Sequence, residues 1–356
     1  MTKDYSAFLP GSAMPTPTRA PIDTLGWQPF FSAQLSIEEL TDTPPIRVVE
    51  VHRNTLRVTG NDLQDTIPHA FEATVGDWLL YDPETRKPTR LLDRKSLIKR
   101  RAPGHDRSIQ LIAANIETAF LTTSCNADFN VARLERYIAL AFEAEIDPVI
   151  LLTKSDMVDD AEDYVAQAQA ISADIPVIAL DARNTDPRDK LAPWCGAGQT
   201  VAFLGSSGVG KSTLTNALTG RRDIATQEIR EDDARGRHTT TSRQLHVTPG
   251  GCVVLDTPGM RELQLTDATT GIEEVFADLH ALSQSCKFND CQHDTEPGCA
   301  VTAALTRGEI DATRMARWRK LMAEEAFNSA TLAQRKTKDK DLGKLIKQIK
   351  KTKPRK

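Results

Sequence analysis

The sequence predicts a multidomain chain, in which a small β-barrel precedes an α/β domain and a helical C-terminal module. Short alternating runs recur between Ile46 and Tyr81. An apolar run, a glycine-rich loop and a helical segment follow one another from Thr200 to Leu218, and three cysteines with one histidine cluster between residues 286 and 299. At 356 residues and 40% hydrophobic content the chain can bury more than one core.

Residues 1–44 are rich in Pro, Thr and Ser without a sustained period, which predicts an N-terminal extension, partly disordered. Over 45–104 the runs Ile46–Val51, Thr55–Val58, Phe71–Val75 and Trp78–Tyr81 read as strands of a barrel of the oligonucleotide-binding (OB) type, with Gly60 and Gly76 in turns. Its exit carries Arg86, Lys87, Arg90, Arg94, Lys95, Lys99, Arg100 and Arg101. A barrel of this kind can serve as a packing domain alone; the basic strip points instead to RNA contact.

Residues 105–270 hold the α/β domain. The apolar run Thr200–Leu204 enters Gly205-Ser206-Ser207-Gly208-Val209-Gly210-Lys211-Ser212, and a helix is predicted over Ser212–Leu218, beginning with Ser212 and Thr213. Glycines at 205, 208 and 210 let main-chain amides turn inward around phosphate oxygens at a helix N-terminus. Lys211 supplies a point charge for the β and γ phosphates, and Ser212 offers a hydroxyl to Mg²⁺. The other buried-strand pattern, Pro148–Leu152, runs into Thr153-Lys154-Ser155-Asp156. The Asp156 carboxylate can accept from N1–H and the exocyclic amine of guanine, where adenine offers an acceptor instead, and Lys154 can lay its stem over the base. Taken alone, the tetrapeptide also reads as a solvated turn.

Val253–Leu255 then leads to Asp256-Thr257-Pro258-Gly259. The Asp256 carboxylate can hold the Mg²⁺ shell through water, and the Gly259 amide can touch the γ-phosphate. Gly236–Thr241 has the character of a first switch, with Thr240 ahead of Thr239 as a γ-phosphate-dependent Mg²⁺ ligand. Met260 stands where a water-orienting Gln usually follows, so slow intrinsic hydrolysis is expected, with a partner or an internal group completing the site. His238 is the internal candidate, because a neutral imidazole can accept a proton from water. These motifs describe a GTPase whose base-reading tetrapeptide precedes its phosphate loop: a circularly permuted α/β P-loop GTPase.

Residues 271–334 form the predicted helical module, with Cys286, Cys291, His293 and Cys299 spaced C-x4-C-x-H-x5-C. Three thiolates and an imidazole make a closed tetrahedral set, which suits one structural Zn²⁺ rather than a catalytic one. A disulfide is the competing assignment, disfavoured in reducing cytosol. Cys125, Cys195 and Cys252 read as ordinary thiols. Residues 335–356 form a basic tail, with lysine at 336, 338, 340, 344, 347, 350, 351, 353 and 356 against only Asp339 and Asp341, a composition that suits polyanions.

The chain resembles the ribosome small-subunit-dependent GTPases, the RsgA, YjeQ and YloQ family, from about Ile46 to Phe327. The resemblance rests on Thr153–Asp156, Gly205–Thr213, Arg237–Thr241, Asp256–Gly259 and the Cys286, Cys291, His293, Cys299 set. It implies late maturation of the bacterial small ribosomal (30S) subunit, with GTP hydrolysis stimulated by that subunit and its rRNA as partner. It also implies a hydrophobic replacement of the catalytic Gln, here Met260, with a switch histidine such as His238 in catalysis. The fifth GTPase motif is reduced to Leu180-Asp181-Ala182. The extension and the tail depart from the family pattern.

No apolar run approaches ~20 residues, so no membrane span is expected, and the chain reads as a cytoplasmic monomer cycling between GTP and GDP. Two functional classes compete: a hydrolytic assembly factor, and an RNA-binding module in which GTP is mainly a structural ligand. Met260 keeps the second open, whereas the complete phosphate loop and Asp256 favour the first.

Overall fold

A computed structural model describes residues 21–101, 109–181, 186–221, 243–256 and 267–329. Several predicted features therefore lie outside the described residues: the first switch with His238 and Thr240, Thr257–Met260 with Gly259, Ala182, and the basic tail.

Three short helices, α1 (Pro21–Thr24), α2 (Pro29–Ser32) and α3 (Ile37–Asp42), lead into the barrel strands β1 (Pro45–Val51), β2 (Thr55–Thr59), β3 (Gln64–Pro68), β4 (Trp78–Asp82) and β5 (Lys87–Leu91). All pairings are antiparallel: β1 lies between β2 and β4, β2 pairs with β3, and β4 with β5. β3 comes back against β5, which closes the ring in the strand order of an OB barrel. A register shift between Val48 and Glu50 lets β1 bend around it.

The run Phe71–Val75, predicted as a strand, is not one. Phe71 sits at φ 54, outside the extended region, and the Thr74 amide donates to Asp77 Oδ2 at 2.7 Å, closing a turn that still buries Val75. The third strand is instead the polar stretch Gln64–Pro68, where Ile67 alone is buried.

The segment 21–44 is bound to the barrel. Phe31, wholly buried, packs against Trp27 and Trp78 with ring centroids 5.6 and 5.8 Å away, and Ser36 and Glu39 close a capping box on α3. Beneath them Arg47, 1% exposed, reaches from β1 to Leu25 O, to Gly76 O at 3.3 Å, to Asn115 O at 3.0 Å and to Thr200 Oγ1 at 3.0 Å. Burial pulls its guanidinium down to about 10, while Glu117 and Asp77 favour the charged form. One cation thus ties the N-terminal segment, the barrel and the base of a central strand of the next domain.

After the antiparallel pair β6 (Leu97–Arg101) and β7 (Ile109–Ala114) come β8 (Thr118–Ser124), α4 (Val131–Glu143), β9 (Asp147–Thr153), α5 (Ala161–Gln169), β10 (Val177–Leu180), α6 (Pro187–Leu191), β11 (Thr200–Leu204), α7 (Lys211–Thr219), β12 (Gln244–Val247) and β13 (Val253–Asp256). The sheet order is β10-β9-β8-β11-β13-β12, parallel except for β12. Strands covered on both faces read as unbroken apolar runs, which is why Pro148–Leu152 and Thr200–Leu204 were legible. Glu50 of β1 pairs with Gln244 of β12, so barrel and parallel sheet share a seam.

The chain then forms α8 (Thr269–Val275), α9 (Ala277–Ser283), α10 (Ala300–Thr306) and α11 (Ala312–Ser329). α8 lies so close on α4 that a Cβ at Gly271 would come 2.0 Å from Ala139 O. Among the described residues no helix is long and apolar enough to cross a membrane.

Candidate functional site

The C-terminal ends of the parallel strands gather the predicted motifs on one edge. β11, central in the sheet, delivers Gly205, and β9 delivers Thr153 two strands away, with β8 between them. Asp256 ends β13 on the other side of β11. Nucleotides bind at this edge of open α/β sheets.

The loop Gly205–Gly210 depends on glycine for two separate reasons. A Cβ at Gly205 would meet Thr122 O at 2.1 Å, so β8 passes too close for any other residue. Gly210, at φ 99, turns the chain into α7 in the left-handed region that other residues avoid. The Lys211 ammonium donates to Gly205 O at 2.7 Å and to Ser206 O, folding over the loop it serves. Ser206, Ser207, Ser212 and Thr213 are half-buried, Gly208 is exposed, and Val209 anchors the loop from the core.

Thr153 joins the two motifs. Its hydroxyl donates to Val209 O at 2.6 Å, while Thr153 is only 1% exposed. Thr153 therefore holds main chain to main chain, and the outward-facing part of the tetrapeptide begins after it. Lys154 takes the left-handed conformation at φ 59, and Ser155–Met157 make a 3₁₀ turn that leaves Asp156 exposed. A carboxylate so presented can accept from a planar ligand laid against it.

A third contact, at the start of α4, carries no sequence motif. Asn130 caps that helix through the Arg133 amide, and Arg133 Nη1 donates to Asp128 Oδ1 at 2.7 Å and to Ser206 Oγ of the phosphate loop. The period of Leu134, Tyr137, Ile138 and Ala141 marks the helix, but no motif marks Arg133.

In the C-terminal module Cys286, Cys291, His293 and Cys299 offer four ligand atoms within 4.8 Å of one another, a set that could hold a metal ion. The Sγ atoms of Cys286 and Cys299 lie 3.9 Å apart, and His293 Nδ1 lies 3.5 and 3.6 Å from them. A tetrahedral ion with bonds of about 2.3 Å to sulfur and 2.0–2.1 Å to nitrogen asks for edges of about 3.8 and 3.6 Å. The donor set therefore fits such an ion, and the cysteines are free thiols. Burial raises the Cys299 thiol, but hydrogen bonds from Thr302 Oγ1 and Thr302 N, each 3.3 Å long, together with His293, take it down to about 6. Glu296 braces the loop by accepting from Gln292 N at 2.9 Å and Asp294 N at 2.8 Å.

Three arginines of the basic strip are ion-paired within the protein, although Arg86, Lys87 and Lys95 stay exposed. Arg86 pairs with Asp65 at 2.7 Å, Arg90 with Glu39 at 2.7 Å, and Arg94 with the buried Asp77 at 2.8 Å. Lys87 and Lys99 pair with no carboxylate among the described residues.

A parallel sheet with a glycine-rich loop on its central strand and the partner tetrapeptide on an earlier strand is the architecture of a circularly permuted GTPase. The chain belongs to the RsgA GTPase family: the family model matches residues 91–266. It is 45% identical over 335 residues to the small ribosomal subunit biogenesis GTPase RsgA 2 of Vibrio parahaemolyticus, covering 93% of each chain. To the small ribosomal subunit biogenesis GTPase RsgA of Mesorhizobium japonicum it is 50% identical, covering 86% of this chain and 90% of that one. Among solved structures, YjeQ from Thermotoga maritima matches with a TM-score of 0.58 and 25% identity, over 79% of this chain and 97% of that chain. YloQ, described as a circularly permuted GTPase, shares the fold with a TM-score of 0.56 at 23% identity, over 82% and 98% of the two chains.

Proposed function

We propose that this GTPase hydrolyses GTP as a maturation factor of the small ribosomal subunit, with that subunit and its rRNA as partner, acting as a cytoplasmic monomer. The observation that carries the GTPase reading is the bond from Thr153 Oγ1 to Val209 O, 2.6 Å, which locks a guanine-reading tetrapeptide to a phosphate loop that follows it in sequence. The subunit enters through the relatives, whose names place them in small-subunit biogenesis.

In this reading Gly205–Thr213 cradle the phosphates, with Lys211 as the point charge, and Asp156 and Lys154 select the base. The hydroxyls of Ser212 and Thr240 are the Mg²⁺ ligands, with Asp256 behind them; hard oxygen donors at a strand end and a helix start suit that ion, which supplies charge neutralisation at the β and γ oxygens. Gly259 senses the γ-phosphate, and His238 takes the proton of the attacking water in place of the missing Gln. Zn²⁺ is the ion for the Cys286, Cys291, His293, Cys299 set, where it holds the loop that precedes α10.

GTP turnover measured with and without purified small subunits tests the reading. Stimulation by the subunit is expected; undetectable basal turnover with no stimulation would leave GTP as a structural ligand and overturn it.

A further inference from the structure

Helix α4 touches both halves of the molecule. Arg133, held at its third position by the Asn130 cap, reaches the phosphate loop at Ser206. The same residue accepts from Lys211 through its main-chain oxygen, so two cations converge on Ser206. Two positions further, about 200° around the helix axis, Glu135 is wholly buried and accepts from Arg317 Nε at 2.7 Å, with Arg314 Nη1 at 3.8 Å. Arg136 pairs with Glu324, and Glu143 accepts from the Gly271 amide at 3.1 Å. One face of α4 is therefore fixed to the phosphate loop, and the rest of it to α8 and α11 of the C-terminal module.

Separating the buried Glu135 from Arg317 would leave an uncompensated charge, which opposes motion of α11 relative to α4. Asp128 and Ser206 hold another face of the same helical turn through Arg133. Met260 removes the usual water-orienting side chain, which leaves the geometry of the phosphate loop as a larger share of what the chain itself contributes.

We propose that Arg133 is a positioning residue for GTP hydrolysis: it fixes Ser206 to a helix whose other face is ion-paired to α11, so that docking forces on the C-terminal module reach the phosphate loop. The proposal rests on the phosphate-loop reading above. It supplies a route through packed side chains, in addition to the covalent one that runs from Asp256 through Gly259 into α8.

The test measures kcat and KM of full-length Arg133→Ala, Arg133→Lys and Ser206→Ala, with and without small ribosomal subunits. Thermal melting and binding of GDP with aluminium fluoride accompany the kinetics. Arg133→Ala is expected to lower stimulated kcat about tenfold, with KM changed less than about threefold and aluminium fluoride complex formation weakened in parallel. Arg133→Lys keeps the charge and should fall between. Ser206→Ala removes the hydroxyl that accepts from Arg133 while keeping the main-chain amide and carbonyl of the loop, and should reproduce the Arg133→Ala kinetics even if the arginine variant folds poorly. Arg136→Ala, which loosens the α11 end, should lower stimulated turnover, leave basal turnover unchanged, and lose its effect in an Arg133→Ala background. Stimulated kcat within about twofold of the parent in both Arg133→Ala and Ser206→Ala overturns the proposal, as does an Arg136→Ala effect undiminished by Arg133→Ala. Lys211→Ala separates the underlying reading: retained GTP binding in that variant would sink the phosphate loop itself, whatever Arg133 does.

Discussion

The metal cluster and the phosphate site are assembled in opposite ways. All four ligands of the cluster come from one stretch, residues 286–299, and their spacing alone gives the chemistry. The proposed phosphate site would take the loop Gly205–Gly210 from β11, Thr153 from β9, Asp256 from β13 and Arg133 from α4, elements that only the fold brings together. A local site is written in the sequence as geometry. A distributed one is written there only as parts, and the joints appear with the fold. The two also depend on their ligands differently. The cluster crowds three cysteines whose thiolates would repel one another without a cation, whereas the phosphate loop is held by side chains of the protein itself, Thr153, Lys211 and Arg133.

Metal removal gives the largest expected effect and tests that contrast directly. Structural zinc contributes about 10–16 kcal/mol in small modules, so a strong chelator, or Cys291→Ser, should abolish metal content and hydrogen-exchange protection over 286–299 while protection of β8, β9 and β11 survives. Full metal by elemental analysis in Cys291→Ser would refute the ligand set. Collapse of the parallel sheet together with the module would show that the two sites are not independent.

Next in size is base selection. Asp156→Asn should weaken GTP by about 10³-fold, because a site built to accept two hydrogen bonds presents a donor instead, while ATP affinity stays unchanged. Equal losses for both nucleotides would mean that the exposed carboxylate does not read guanine. For His238→Ala the expected result is retained GTP binding with stimulated turnover lowered by about 10²-fold, the usual scale of general-base assistance. Unchanged turnover would take the histidine out of catalysis.

What the sequence made legible follows the same division. Strands buried on both faces, Pro148–Leu152 and Thr200–Leu204, announce themselves as apolar runs, and the glycines of the loop state their purpose through spacing. Gln64–Pro68 did not, because an edge strand with one buried residue carries almost no hydropathy signal. The pairing of the barrel's cations was illegible for a related reason. Counting arginines shows charge but not partners, and Arg86, Arg90 and Arg94 find theirs on Asp65, Glu39 and Asp77, 21, 51 and 17 positions away. Arg47 was invisible as a hub, since its partners lie on four separate segments. α4 offers the nucleotide edge a second path to the C-terminal module, beside the one along the backbone.

The smallest expected effect concerns the joint between the two motifs, and it is the most specific to permutation. Thr153→Val keeps the shape and the burial of the side chain but removes the donor to Val209 O, leaving a carbonyl at the base of the phosphate loop without that partner. An unsatisfied buried acceptor costs about 1–3 kcal/mol, so GTP affinity should fall about tenfold, and ATP affinity, where measurable, by the same factor, because the bond orders the loop rather than reads the base. Thr153→Ser restores the hydroxyl and should recover most of the loss. Metal content should not change in either variant. A selective loss of GTP in Thr153→Val, with ATP untouched, would instead make Thr153 part of base recognition and erase the distinction between the buried threonine that joins the motifs and the exposed Asp156 that follows it.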